Sequence, residues 1–405
     1  MYQPSEKILK RYADVLVNFA LNDGRGVKRG EVVRLVVSES AKPLYMELYK
    51  ALLSSGAHTI VNYLPDDNNK SFNFSRAFFE NADKKQLEFF PKNYIKGMVK
   101  DIDHSIAILS EVDKHSLEGI DPKKIMSRGE ALKPLRSWLD KKENEGKYTW
   151  TLGLYGTSAM AQEAGLSLEN YWDQIIRACF LDKKDPVKSW KEVLKKINSL
   201  RQKMTTLPIE RLHIEGEDVD LWISVGENRR WSGGSGRNIP SFEIFTSPDW
   251  RGTEGWIRFN QPLYRYGNLI EGIELEFKDG RVIKSRAKKN QKVLREMIKV
   301  EGADKVGEFS LTDKRFSRID KFMAETLYDE NIGGPQGNTH IALGKAYADC
   351  FNGECQSLKK SDWKKIGFND SSVHTDIIST TRRKVTAYLK DGSEKVVYKD
   401  GQFTI

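Results

Sequence analysis

A chain of 405 residues is a little under three times the ~150 residues usual for one domain, so a lone coil or peptide-sized scaffold is excluded and two domains are expected. Hydrophobic residues at 39 %, 31 glycines and 30 % charged residues are ordinary globular usage, which excludes wholesale disorder. Lys+Arg 66 against Asp+Glu 57 leaves a net charge of +9, spread along the chain instead of gathered in the stripe or tail that neutralises nucleic-acid phosphates, so no nucleic-acid partner is expected.

No stretch reaches the ~18 apolar residues that cross a bilayer, and the first 21 residues alternate charged and apolar side chains, so a cytoplasmic protein with no membrane partner is expected. Three cysteines, Cys179, Cys350 and Cys355, are too few for a disulfide framework and agree with a reducing compartment. Cys350 and Cys355 lack the second pair that a structural zinc site requires.

Residues 31–38 form a β-rich run, Leu44, Leu48 and Leu52 follow at helical spacing up to Gly56, and a second strand begins at Thr59. This is a β-α-β unit. Its turn carries no phosphate-cradling glycines, so it is scaffold. The segment 70–145 is mostly charged and helical in character, and His104 and His115 fall within it. Leu168, Tyr171, Trp172, Ile175, Ile176 and Cys179 make an amphipathic stripe after a Ser167 N-cap, and Asp185-Pro186 starts a second helix running to about Met204. Near Pro208 the period changes to two, around Asp-Gly turns, in 212–225, 273–283 and the 385–401 tail. The expected fold is therefore an α/β domain with a parallel-type sheet over 1–208 and an α+β domain with a largely antiparallel, barrel-like sheet over 209–405. The basic run Arg281, Lys284, Arg286, Lys288, Lys289, Lys292 and Arg295 reads as a solvated hairpin edge and helix face.

Candidate chemistry collects in the second half. His374 and Asp376 are two apart, so on a strand both emerge from one face, as two ligands of one metal or a histidine held by its carboxylate would. An iron facial triad fails, because no histidine follows His374. His340 lies after a glycine-rich turn, while Glu243 and Glu308 sit among apolar neighbours, where a buried carboxylate is costly unless coordinated or paired. Two such glutamates, two histidines and an aspartate have the mixed oxygen and nitrogen character of two-metal hydrolases.

The segments Asn238-Ile-Pro-Ser-Phe-Glu243-Ile-Phe-Thr-Ser-Pro, Gly307-Glu308-Phe-Ser-Leu, Glu325-Thr-Leu-Tyr-Asp-Glu-Asn, Thr339-His340-Ile-Ala-Leu-Gly and Asn369-Asp-Ser-Ser-Val-His374-Thr-Asp376 occur in that order. Together with Gly165-Leu-Ser-Leu-Glu-Asn-Tyr and Asp185-Pro-Val-Lys-Ser-Trp in the first half, this series resembles the aminopeptidase T family of thermophilic metalloaminopeptidases. The resemblance implies a cytoplasmic, homodimeric exopeptidase that removes N-terminal residues from short peptides, its first half serving dimerisation and substrate gating. It further implies two divalent metal ions, from among Zn, Co, Mn and Mg, on Glu243, Glu308, His340, His374 and Asp376, with Tyr347 as the non-ligand catalytic side chain. Phe242 and the insertion at 333–337 depart from the family pattern and bear on the specificity pocket.

Two cations acidify a shared water and polarise the scissile carbonyl. Glu243 or Glu308 bridges the ions or moves the proton, and Tyr347 donates to the oxyanion. The competing readings are another two-metal hydrolase, an amidohydrolase or phosphoesterase, and a non-catalytic binder of anionic partners.

Overall fold

The computed structural model describes residues 2–66 and 72–405. The first half carries strands β1 (Val32–Ser38), β2 (His58–Leu64), β3 (His104–Leu109) and β4 (Thr149–Leu154), paired in parallel in the order β2-β1-β3-β4. Helix α1 (Glu6–Asn18) precedes β1, and α2 (Lys42–Ser55) links β1 to β2. Gly56 ends α2 in the left-handed region, at φ 74°, where a side chain would be strained. Along β1 the side chains alternate: Val33, Leu35 and Val37 are buried in a core shared with α1 and α2, and Arg34 and Val36 point the other way.

The segment expected to be helical is only partly so. It holds α3 (Phe74–Asn81), α4 (Lys84–Glu88), α5 (Lys92–Asp101), α6 (Pro122–Ala131) and α7 (Lys133–Asn144), but β3 interrupts them between β1 and β4. His104 opens that strand, with Glu31 at 2.9 Å and Thr149 at 2.8 Å, and His115 lies in a turn beyond it. Its apolar core, Ile106-Ala-Ile-Leu, is too short for periodicity to tell a buried strand from a helix. The helices α8 (Ser158–Glu163), α9 (Leu168–Ala178) and α10 (Pro186–Thr206) follow, α9 capped by Ser167 and α10 by Asp185 with Pro186 at its first position, as their spacing predicts.

From Ile209 onward the chain is dominated by antiparallel strands. They are β5 (Ile209–Gly216), β6 (Val219–Ser224), β7 (Glu243–Thr246), β8 (Asp249–Arg258), β9 (Leu263–Arg265), β10 (Asn268–Ile270), β11 (Glu274–Lys278) and β12 (Arg281–Arg286), then, after α11 (Gln291–Ile298), β13 (Val306–Thr312). The one-turn helix α12 (Thr326–Asp329), β14 (Asn338–Gly344), α13 (Lys360–Lys365), β15 (His374–Ser379), β16 (Arg383–Leu389), β17 (Glu394–Lys399) and β18 (Gln402–Phe403) complete the chain. An eight-stranded sheet has the order β12-β11-β8-β6-β5-β16-β17-β18, with edges at β12 and β18, and a four-stranded sheet has the order β15-β14-β13-β7. The basic run lies on edge strand β12 and on α11, with Arg281 paired to Asp304 and Lys284 to Glu276.

Two large apolar cores result, beside two small clusters around Phe351 and Ile102, and neither large core stops at residue 208. The first takes Phe242, Met323, Leu327 and Tyr328 from the later half, while the second takes Leu117, Ile125, Ile197 and Met204 from the earlier one. Ile244, Phe309, Leu311, Ile341, Leu343 and Ile377 fix one face of the four-stranded sheet on the second core. Its other face is free to carry polar groups.

Candidate metal centre

That free face gathers all five ligand candidates. Antiparallel partners share a face, and the register pairs Thr312 with Glu243, Ser310 with His340, Glu308 with Ala342, Ala342 with Asp376 and Gly344 with His374. Residues more than a hundred positions apart thus become neighbours on one side of one sheet. The His340 Nε2 lies 3.3 Å from Glu243 Oε2, 3.4 Å from Glu308 Oε1 and 3.9 Å from Asp376 Oδ1. The His374 Nε2 lies 3.6 Å from Glu308 Oε2 and 3.4 Å from Asp376 Oδ1. Ligand atoms bound at ~2.1 Å to one tetrahedral ion stand about this far apart.

A sixth donor was missed by sequence reasoning. Glu330, buried just after α12, joins His340 and Asp376 in a third group of mutually close donor atoms, beside the groups Glu243/Glu308/His340 and Glu308/His374/Asp376. Its neighbours place it: the Asp329 carboxylate accepts from the backbone N–H groups of Met323 and Glu325, the Asn331 side-chain oxygen accepts from Phe242 N, and Asn238 donates to Glu330 Oε1 at 2.9 Å. The signal in the sequence was the segment Glu325-Thr-Leu-Tyr-Asp-Glu-Asn, which contains Glu330 between Asp329 and Asn331.

Four carboxylates and two imidazoles without a permanent cation strain each other's ionisation. Burial pushes the Glu308 carboxyl up to about 7; the His340 hydrogen bond opposes this and the Glu243 charge adds to it. Burial and then the charges of Glu243 and Asp376 raise Glu330 well above the usual carboxylate range. For His340, burial works against the imidazolium, yet hydrogen bonds to Glu243 and Glu308 lift it well above its ordinary value. Burial opposes ionisation of Asp376 too, but the charge and hydrogen bond of His374 bring it down to about 2. Protons therefore neutralise this cluster, a task metal ions do in such donor sets.

The comparison with known proteins decides the family. Residues 5–403 match the thermophilic metalloprotease family M29. The chain belongs to this family. Among its M29 relatives, aminopeptidase PepS of Streptococcus thermophilus is 25 % identical, with 98 % of each chain covered, and aminopeptidase T of Thermus thermophilus is 26 % identical, covering 98 % of this chain and 99 % of that one. The solved structure of wild-type AmpT from Thermus thermophilus superposes with a TM-score of 0.80 at 23 % identity, over 99 % of this chain and 100 % of that one, which shows a shared fold.

In this M29 chain five of the donors, Glu243, Glu308, Glu330, His374 and Asp376, line a small pocket, and three of them, Glu330, His374 and Asp376, also line a cleft of about 670 Å³. One wall is the β-sheet face that carries Arg34, Val36, Ala107 and Leu152; another is α7, through Arg136, Asp140 and Glu143. Helix α7 is pinned across by Glu143 to Arg237 at 2.7 Å, by Asp140 to Lys345 and by Arg136 to the Ser372 carbonyl. Tyr347 lines the same cleft, its ring 4.6 Å from that of His374. Burial, followed by the charges of Glu308 and Asp376, keeps its phenol neutral far above the usual value. Neither departure from the family pattern touches the cleft. Phe242 is fully buried against Trp190, with ring centroids 5.4 Å apart, and the insertion packs toward Tyr398 and Gly401. Cys350 and Cys355 are free thiols outside the three donor groups.

Proposed function

We propose that this chain is a metal-dependent aminopeptidase that removes N-terminal residues from short peptides. The observation that carries the reading is Glu308, whose two oxygens face different histidines, so that one carboxylate belongs to two donor groups at once. Glu243, Glu308, Glu330, His340, His374 and Asp376 would hold two divalent cations between them, Glu308 being shared by two of the donor groups. A buried, carboxylate-rich set in which Glu308 and Glu330 are pushed toward the protonated form is chemically suited to divalent ions. Bound there, such ions supply an activated water and a polarised scissile carbonyl.

The protein's own groups do the rest. His374 donates its Nδ1–H to the Lys345 carbonyl at 2.8 Å, so its Nε2 lone pair is directed at the donor set. Tyr347, held as a neutral phenol beside His374, donates to the oxygen of the carbonyl under attack, a contribution of ~3 kcal/mol for a well-placed donor. The cleft between the parallel sheet, α7 and the four-stranded sheet encloses a short peptide and keeps bulk water from it.

Among the described residues no helix is long and apolar enough to cross a membrane; that, with three unpaired thiols, supports a cytoplasmic location. We read residues 1–208 as the gating and dimerisation part and 209–405 as the catalytic part. Exposed apolar side chains, Met46 and Leu53 on α2, Tyr63 and Leu64 on β2, Phe72, and Phe74 at the start of α3, suit the face of a homodimer.

The test is hydrolysis of an unblocked dipeptide, its N-acetylated form and a phosphoester by the metal-loaded protein, with elemental analysis. Cleavage of the unblocked peptide alone, at two ions per chain, is expected, together with its loss on Glu308→Ala. Cleavage of the blocked peptide or the phosphoester instead, or full activity of Glu308→Ala or of metal-free protein, overturns the reading.

A further inference from the structure

The cleft pairs its charges unevenly. Outside the metal donors, every carboxylate that lines it has a cationic partner: Glu111 and Glu325 close on Lys114, Asp140 on Lys345 and Glu143 on Arg237. Three arginines that line it, Arg34, Arg136 and Arg265, form no ion pair with any described carboxylate. Arg34 donates to the Asn62 side chain at 2.8 Å. Among the described residues the other two reach backbone carbonyls two residues apart at the start of β15, Arg136 to Ser372 and Arg265 to His374, the latter at 3.0 Å, and Arg265 also meets the Tyr266 side chain and feels the more distant charges of Asp376 and Glu325. The Arg265 Nε is buried with no hydrogen-bond partner, and the guanidinium lies over the Tyr266 ring, 5.0 Å from its centroid.

A guanidinium in a confined space is costly unless an anion answers it, and its planar fork matches a carboxylate better than any other biological anion except phosphate. Both arginines are tied to the segment that leads into His374 and Asp376, Arg265 with its Nε buried and Arg136 from the exposed side of the cleft. An extended dipeptide spans about 7 Å at 3.3–3.6 Å per residue. A substrate of that length has its amino end and its far carboxylate only a residue or two apart, so a site for each within one cleft is what a short peptide requires.

We infer that Arg265 and Arg136 form a carboxylate subsite, which selects short peptides by the free C-terminal carboxylate of a dipeptide or tripeptide or by an acidic side chain after the scissile bond. The inference rests on the aminopeptidase reading. Arg265 and Arg136 are specificity-determining here, and their bonds to the Ser372 and His374 carbonyls aim them.

The experiment compares Leu-Gly, Leu-Gly amide and Leu-Asp amide as substrates of the metal-loaded wild type, R265Q, R136Q and R265K. R265Q is expected to raise KM for Leu-Gly at least tenfold while moving KM for Leu-Gly amide less than twofold, with R136Q acting in the same direction and R265K recovering part of the loss. A KM loss confined to Leu-Asp amide assigns the subsite to the acidic side chain and also supports it. Equal KM changes on all three peptides, or no change on any, overturn it. Calorimetric binding of N-acetyl-Leu-Gly and its amide separates the two readings. If the wild type cuts no peptide yet binds the acid tenfold more tightly than the amide, and R265Q erases that preference, the aminopeptidase reading falls and the subsite stands. Peptide cleavage with no acid-over-amide preference does the reverse.

Discussion

The Nδ1 of His374 lies 2.8 Å from the carbonyl oxygen of Lys345. That bond fixes the tautomer and turns Nε2 toward Glu308 and Asp376, whereas His340 Nδ1 has no such acceptor among the described residues. Replacing His374 removes one donor of the Glu308/His374/Asp376 group and leaves Glu243/Glu308/His340 whole. His374→Ala is therefore expected to retain about one ion per chain in elemental analysis after dialysis and to lose at least about 100-fold in kcat/KM, more than the loss of an outer partner of a ligand costs. Two tightly held ions in that variant contradict the assignment.

Proton release should accompany metal loading. The Glu308 carboxyl titrates at about 7 and His340 is protonated well above its usual value, so at pH 6 both must lose a proton before they can ligate. Apparent metal affinity is expected to rise as pH goes from 6 to 8, about tenfold per pH unit for each ligand proton still bound, with the Glu308 share levelling off above about pH 7 at about tenfold in total, read by competition with a chelator. The sign for stability follows from the same groups. A carboxyl raised in the folded state makes the metal-free protein less stable as pH climbs from about 4.5 to 7, and a raised histidine loses its stabilising share as pH climbs through its folded value. Asp376, lowered to about 2, acts only in the acid range. The gap in Tm between metal-loaded and metal-free protein should therefore widen from pH 6 to pH 8. A gap that narrows over that interval counts against the site.

Tyr347 offers a cleaner separation of binding from chemistry. Its ring packs on His374 and, 5.9 Å away, on Phe245, so Tyr347→Phe keeps the packing and removes only the hydroxyl. With the phenol neutral, the hydroxyl is a donor throughout the working pH range. We expect kcat to fall by about 100- to 1,000-fold with KM within twofold, as for loss of an oxyanion donor. A change in KM alone assigns Tyr347 to substrate binding instead.

That the five candidate ligands share one sheet face was largely legible because they lie on strands. A period of two, together with His374 and Asp376 two positions apart, puts side chains on one face before any contact is known, and the observed register extends that face to Glu243, Glu308 and His340. Glu330 was not legible, because it follows a one-turn helix and is aimed by Asp329 and Asn331 through bonds to Met323, Glu325 and Phe242, which are tertiary facts. The strand at 104–109 was hidden by its charged flanks and short apolar run. The pairing of Asp140 with Lys345 and of Glu143 with Arg237 joins distant segments with no pattern to announce it, and with it the walls of the cleft stayed out of reach.

Gly307 carries the last prediction. It sits at the β-bulge between Val306 and Glu308, where the register with β14 slips by one residue. That slip lets Val306 meet Leu343 in the core while Glu308 turns to the metal face. A Cβ on residue 307 would collide with the carbonyl oxygens of Gly344 and Lys345, both backbone atoms that cannot swing aside. The Lys345 carbonyl is also the acceptor that orients His374. Gly307→Ala should thus cost about 2 kcal/mol or more by overpacking, read from the urea midpoint, and weaken metal retention at the same time. Gly97 in α5 has nothing within 4 Å of its Cβ position, so Gly97→Ala is the control, expected to leave metal content unchanged and to stabilise by up to about 1 kcal/mol. If Gly307→Ala unfolds at the wild-type midpoint with both ions in place, the bulge does not set the geometry of Glu308 and His374.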